Sequence, residues 1–491
     1  MTHIENLILP GNPRYQPKEM FPVFGYDNLY QKVSEVEVAT LETLGEIGII
    51  PKEDLEKLTK EIKKKLYNIK TTDIDKIEKE ITRHDIRAWV RCAQDILDPK
   101  LARWVHVPLT SYDVIDTARI LQYRQAYEEA LKPTISRLII IFIKLVEENI
   151  NQIQIGRTHG QHALPITMGF WLATILNRIV DNWESLDYYS NNLKGKISGA
   201  VGAHNAQIGL GFSQKGHDDN FEIKVLQKLN LKPARISTQI LPPENLAHFL
   251  FSAINLSSSF GQFGRDSRNL MRSEIEEMTE SFESGQVGSS TMAHKRNPIN
   301  FENLEGMWLR NKNEFGKVLD NFISDHQRDL VGSSIARDYP IILINLQQQM
   351  NTLLKEDKEG NTFLERLKFN REACQINFQK SSNVILAEPL YIALQMAGYC
   401  GDAHELVNRQ LVPEAQKSSK MLTDVLLDLS KKDENLKAIF NNIPSEIMEL
   451  LKKPENYIGD AKEKSFEIVN YAKLILNKLS KKTWTIKKIK K

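Results

Sequence analysis

Residues Gly288 to Pro298 read Gly-Ser-Ser-Thr-Met-Ala-His-Lys-Arg-Asn-Pro, placing three hydroxyls, an amine, a guanidinium and a carboxamide within eleven positions. The preceding Glu283-Ser284-Gly285-Gln286-Val287-Gly288 is short of apolar anchors, and its glycines open backbone angles closed to other residues. Pro298 then fixes the chain where helical spacing resumes, as at the first turn of a helix. Lys295 and Asn297 therefore fall near a helix N-terminus, where free backbone N–H groups and the helix dipole favour an anion. The expected ligand carries carboxylates or phosphates. Gly-Ser-Ser alone would describe many surface loops; the whole Ser-Ser-x-Met-x-x-Lys-x-Asn-Pro pattern is what singles this one out.

Other stretches offer complementary chemistry. Arg328 and Arg337 flank Ser333 and Ser334, and a guanidinium fork suits phosphate or carboxylate. Thr110 and Ser111 precede a helical pattern with Asp113 in its first turn, which is both an N-cap and a hydroxyl pair able to hold a carboxylate. His159 and His162 lie in Gly156-Arg157-Thr158-His159-Gly160-Gln161-His162-Ala163-Leu164-Pro165, but no acidic or Cys ligands accompany them, so no metal is expected. The Gly-rich run Lys196 to Ala206 has neither P-loop nor GxGxxG spacing and predicts no cofactor. Asn12-Pro13-Arg14-Tyr15 reads as a turn, and Arg83-His84-Asp85 as a charged patch on a helix.

Long helices must position these groups. The spacing predicts helices over about 113 to 150, 165 to 194, 245 to 281, 298 to 323 and 338 to 356, with Pro133 kinking the first. Apolar stripes run through Leu172, Ile175, Leu176 and Ile179, through Leu246, Phe249, Leu250, Ala253 and Ile254, and through Leu304, Met307, Trp308, Phe315, Val318, Leu319 and Phe322. Helices of this length predict an elongated all-α bundle, and such long stripes predict burial against further subunits. Breaks place a helical N-terminal domain at 1–112, a central long-helix bundle at 113–360 and a helical C-terminal domain at 361–491 ending in a Lys-rich tail.

Composition narrows the class. With 491 residues, 41% hydrophobic and 26% charged, the chain can bury a large core. Its formal charge of +2 gives no reason to expect nucleic acid. Cys92, Cys374 and Cys400 are widely spaced, which predicts reduced thiols in a cytoplasmic protein. The start lacks a basic region followed by an apolar run, so no secretory signal is expected. The most apolar stretch, Leu138 to Val146, is too short and too charged to span a bilayer.

The pattern around Ser289 resembles the signature of the fumarase/aspartase superfamily, helical lyases that eliminate fumarate from a substituted succinate. The resemblance extends from Arg14 to about Gly459, and is nearest to the branch acting on succinylated nucleotides in purine and AMP biosynthesis. Ala293 departs from the proline usual after Met292, and Leu164 is similar to the cycloisomerase branch. The resemblance implies a three-domain fold with a five-helix central bundle, a homotetramer, and active sites shared by three chains, with no cofactor. It implies Ser289 as the base, Lys295 as stabiliser of the carbanion, His159 as general acid and Glu302 as the group orienting it. It implies substrate contacts from Arg14, Tyr15, Arg83, His84, Asp85, Thr110, Ser111, Thr158, Gln239, Ser290, Asn297, Arg328, Ser333 and Arg337. The alternatives are an argininosuccinate-cleaving lyase, a cycloisomerase, or a non-catalytic homologue.

Overall fold

A computed structural model describes residues 16–214, 220–281, 292 and 294–480. Its centre is a bundle of long helices: Ser111–Ala126 continued by Lys132–Asn149, then Met168–Asn191, Glu244–Leu270, Ile299–Asp320 and Pro340–Leu353. The expected helices are present, with two shortened. The second starts at Met168 because Gln161–Thr167 is a strand, and the third ends at Leu270 because Met278–Thr279 pairs with Lys368–Phe369. Pro133 does mark an irregularity. Tyr127–Leu131 forms a π-turn in which Lys132 N–H reaches the Tyr127 carbonyl, and this wider turn accommodates the proline ring. The same device recurs at Val407–Leu411, ahead of Pro413.

Aromatic packing locks the bundle. Phe263 lies 5.3 Å from Phe142, 5.9 Å from Trp171 and 5.9 Å from Phe301 between ring centroids, so one side chain touches three neighbouring segments. Gly261 and Gly264 let the Glu244–Leu270 and Ile299–Asp320 helices approach closely. A Cβ on Gly264 would sit 2.6 Å from the Phe301 carbonyl oxygen and 2.8 Å from Leu304 Cβ. Leu172, Ile175, Leu176 and Ile179 are buried, as their stripe requires. The stripe from Leu304 to Phe322 behaves differently: Leu304 and Val318 are buried, but Leu319 and Phe322 remain exposed.

Before the bundle, Tyr26–Glu46 packs on Ser111–Ala126. Its buried Glu37 accepts the backbone N–H of His106 (3.0 Å) and contacts His106 Nδ1 (2.7 Å), fixing the approach to Thr110. After the bundle, helices from Arg371 to Lys452 form their own buried cluster around Leu390, Leu406, Leu411 and Leu426. The final helix, Ala461–Ser480, returns to pack on Met168–Asn191 and Lys132–Asn149, burying Val469, Ala472, Ile475 and Leu479. The three cysteines are free thiols.

Two stability predictions follow from this packing. Helix propensity alone favours alanine over glycine by about 1 kcal/mol, whereas the contacts at Gly264 predict that Gly264→Ala is destabilising by about 1–3 kcal/mol. A melting temperature at or above that of the parent would refute the close packing. Burial opposes protonation of His106, but the Glu37 carboxylate outweighs it and holds the imidazole above its usual range. This contribution is complete below about pH 6.5 and is lost as pH rises through the raised folded-state value. Thermal unfolding of His106→Asn should therefore lack that part of the decline seen in the parent above neutral pH.

Candidate active site

The chemistry-bearing residues gather at the two ends of the Ile299–Asp320 helix. Its 22 residues span about 30 Å.

Lys295 and Asn297 stand just before the first end, Glu302 lies in the first turn, and Pro298 is the N-cap. The expectation that this helix end keeps free donors for a ligand is corrected. Glu280 is 2% exposed and accepts the backbone N–H groups of Asn300 (3.0 Å) and Phe301 (3.1 Å), plus Asn300 Nδ2 (2.8 Å). Ile299 and Glu302 N–H bond the carbonyls of Asn297 and Pro298, so the first turn is fully satisfied from within. Burial raises the Glu280 carboxyl above the usual carboxylate range, against the lowering effect of these hydrogen bonds. Lys295 is exposed and makes no side-chain hydrogen bond among the described residues.

At the same end stands a β-hairpin, Ile153–Thr158 paired with Gln161–Thr167. Gly156 sits at a register shift where a Cβ would meet the Leu164 carbonyl oxygen at 2.7 Å. The turn is His159-Gly160, with φ of 53° and 77°, a two-residue type I′ connection. His159 and Thr158 are thus exposed at the tip. Buried Glu277 holds the hairpin base, accepting from Arg157 (2.6 and 3.1 Å), Gln154 (2.8 Å) and Asn377 (3.0 Å). Three residues later Glu280 caps the long helix, so both carboxylates organise one end of the bundle. Among the described residues no hydrogen bond joins His159 to Glu302; the expected orienting contact is not made within one chain. His162 bonds Ser381 instead (2.7 Å). No group of His, Cys, Asp and Glu suited to a metal occurs among the described residues.

The other end carries a second cluster. Arg328 Nη1 donates to Gln239 Oε1 (2.9 Å), Nη2 to Ser333 Oγ (3.2 Å) and Nε to the Asp329 carbonyl (3.2 Å). All three partners are neutral, so the guanidinium charge is uncompensated by direct contact. Tyr112, absent from the sequence expectations, lies flat against Arg328, with Cζ 3.3 Å from the ring centroid, and its Oη is 2.9 Å from Ser333 Oγ. Ser111 Oγ meets His84 Nε2 at 3.5 Å. Arg83-His84-Asp85 is not on a helix face as expected: Arg83 is left-handed at φ 55°, His84 is the N-cap and Asp85 begins the Asp85–Ile96 helix. Arg337, the C-cap of the Val331–Ala336 helix, is exposed. Thr110 is fixed by Asp113, whose carboxylate accepts its N–H (2.9 Å) and pairs with buried Lys196 (2.5 Å). Behind Tyr112 and Arg328 lies a cavity walled also by Asp116, Arg119, Tyr123 and Tyr339. Arg14, Tyr15, Ser289 and Ser290 lie outside the described residues, as does the Lys-rich tail.

Comparison with known proteins places the chain among lyases. A family model described as "Lyase" matches residues 19–310. The chain is 35% identical to the adenylosuccinate lyase of Pyrococcus abyssi, over 94% of this chain and 97% of that one. It is 33% identical to the adenylosuccinate lyase of Archaeoglobus fulgidus, over 96% and 100%, and 34% identical to that of Bacillus subtilis, over 76% and 83%. Among solved structures it resembles the fumarate lyase of Mesorhizobium sp. BNC1, with TM-score 0.76, 20% identity and coverage of 94% and 100%. It also resembles the 3-carboxy-cis,cis-muconate lactonizing enzyme of Pseudomonas putida, with TM-score 0.75, 21% identity and coverage of 94% and 98%. With the helical bundle and these relatives in agreement, the chain belongs to the adenylosuccinate lyase family.

Proposed function

We propose that this protein cleaves adenylosuccinate to AMP and fumarate, and the succinylated aminoimidazole carboxamide ribotide to its amide and fumarate, as a step of purine biosynthesis. The observation that carries the reading is Arg328, a guanidinium bonded only to neutral groups beside Ser333, which suits a nucleotide phosphate. An argininosuccinate-cleaving enzyme would have no use for a phosphate site there.

The reaction removes a proton from the succinyl carbon next to a carboxylate, and the C–N bond breaks as that electron pair becomes the double bond of fumarate. Ser289 takes the proton, as an alkoxide that Lys295 stabilises. Lys295 and Asn297 also offset charge building on the succinyl carboxylates. With Glu280 occupying the helix end, this work falls to side chains rather than to the helix dipole. His159 returns a proton to the leaving nitrogen, with Glu302 setting its tautomer. Thr110, Ser111 and Thr158 hold the succinyl part, while Arg83, His84 and Asp85 line the rim. Gln239, Ser290, Arg14, Tyr15, Ser333 and Arg337 complete the nucleotide contacts.

One substrate cannot reach both ends of a helix spanning about 30 Å. The working site therefore pairs the Lys295 end of one copy with the Arg328 end of another, in a cytoplasmic homotetramer. The exposed Phe251, Leu309, Leu319, Phe322 and Ile323 supply the apolar surface such an assembly would bury. No described helix is long and apolar enough to cross a membrane.

Purified protein should release fumarate from adenylosuccinate and not from argininosuccinate; activity on argininosuccinate alone would overturn the assignment. Arg328→Ala should raise KM for adenylosuccinate by about 10- to 100-fold, the loss expected for charged hydrogen bonds. Mixing and reassembling Lys295→Ala and Arg328→Ala proteins should restore, at substrate well below the raised KM, activity that neither shows alone. Failure to complement, with mixed oligomers demonstrated, would mean that each site is built within one chain.

A further inference from the structure

Tyr112 joins groups that the sequence scatters over more than two hundred residues. Its ring lies 3.3 Å beneath the Arg328 guanidinium carbon, and its hydroxyl is 2.9 Å from Ser333 Oγ. Its backbone is equally constrained. Thr110 before it is tied to Asp113 after it (2.9 Å), and Asp113 is anchored by Lys196 and by the Gly199 N–H (3.1 Å). Ser111, its immediate neighbour, faces His84.

Two consequences follow from elementary chemistry. A guanidinium on a flexible stem loses rotational freedom when stacked flat on an aromatic face, so its remaining donors point in fixed directions. Ser333 Oγ already accepts from Arg328 Nη2 (3.2 Å) and has a second lone pair for the Tyr112 hydroxyl. Either hydroxyl can donate in that contact; with Tyr112 as the donor both Ser333 lone pairs are filled and the Ser333 proton is left for an incoming anion.

We propose that Tyr112 is a positioning residue that sets the affinity for the phosphate of a nucleotide, holding Arg328 by its ring and Ser333 by its hydroxyl so that both donate to one phosphate. The inference rests on the reading of Arg328 and Ser333 as phosphate contacts. Because Tyr112 touches no reacting bond, it acts on binding and leaves the elimination step alone.

The test uses the full-length protein and the variants Tyr112→Phe and Tyr112→Leu, comparing kcat and KM for adenylosuccinate with AMP binding by calorimetry. Tyr112→Phe keeps the ring and loses the bond to Ser333. KM and the AMP dissociation constant should both rise about 3- to 10-fold, the range for one hydrogen bond. Tyr112→Leu loses both interactions and should weaken both by about 10-fold or more, with kcat within about twofold of the parent in each case. If Tyr112→Leu does not fold, Tyr112→Phe decides alone. Unchanged AMP affinity in Tyr112→Phe, or a fall in kcat at constant KM, would overturn the inference while leaving the lyase reading intact. A parent protein that neither releases fumarate nor binds AMP would overturn that reading and this inference together.

Discussion

The buried pair of Lys196 and Asp113 is the constraint on which the Arg328 half of the site depends. Both side chains are fully buried, which is unfavourable unless every donor and acceptor is used. Lys196 bonds Asp113 and the Gly199 carbonyl, while Asp113 also accepts from Thr110 and Gly199 N–H. Thr117 closes the network by bonding the Lys196 backbone in both directions. One ion pair thereby fixes the Gly-rich run after Lys196 and the N-terminus of the first long helix. The hydroxyls of Thr110 and Ser111 and the ring of Tyr112 inherit their positions from it.

Carboxylates do the equivalent work at the opposite end. Glu277 gathers the hairpin, a strand and the Arg371–Ser382 helix, and Glu280 ends the long helix that leads to the Arg328 cluster. Burying such groups is tolerable because each is met by several donors. The result is a frame with candidate chemistry at both extremities, and under the proposed reaction their separation calls for association with other copies.

Much of the fold was legible in the sequence because its helices are long. Leu172, Ile175, Leu176 and Ile179 step by three and four, the mark of one helical stripe. The hairpin was not legible, because Gly156 and its register shift break the alternation that marks a strand. The chemistry-bearing residues could be named from their motifs, but their partition into two ends could not. Sequence spacing does not reveal that Lys295 and Arg328 are separated by a straight helix. The roles of Glu277, Glu280 and Tyr112 were hidden for a related reason: each is defined by partners far away in the chain, whereas local pattern reports only near neighbours. Arg83-His84-Asp85 was misplaced because a left-handed arginine followed by a histidine cap leaves no periodic trace.

The return of Ala461–Ser480 to the bundle gives the chain an unusual connectivity. The segment from Arg371 to Lys452 is held at both ends by the same body, so it is topologically an insertion and not an appendage. Its two anchors limit how far it can swing, and docking the last helix closes a loop that contains the whole insertion, a cost that grows only slowly with loop length. Trimming from the C-terminus would therefore strip a wall from the central core before it reached the inserted unit. Substitutions at Val469, Ala472, Ile475 or Leu479 in the last helix bear directly on the central core.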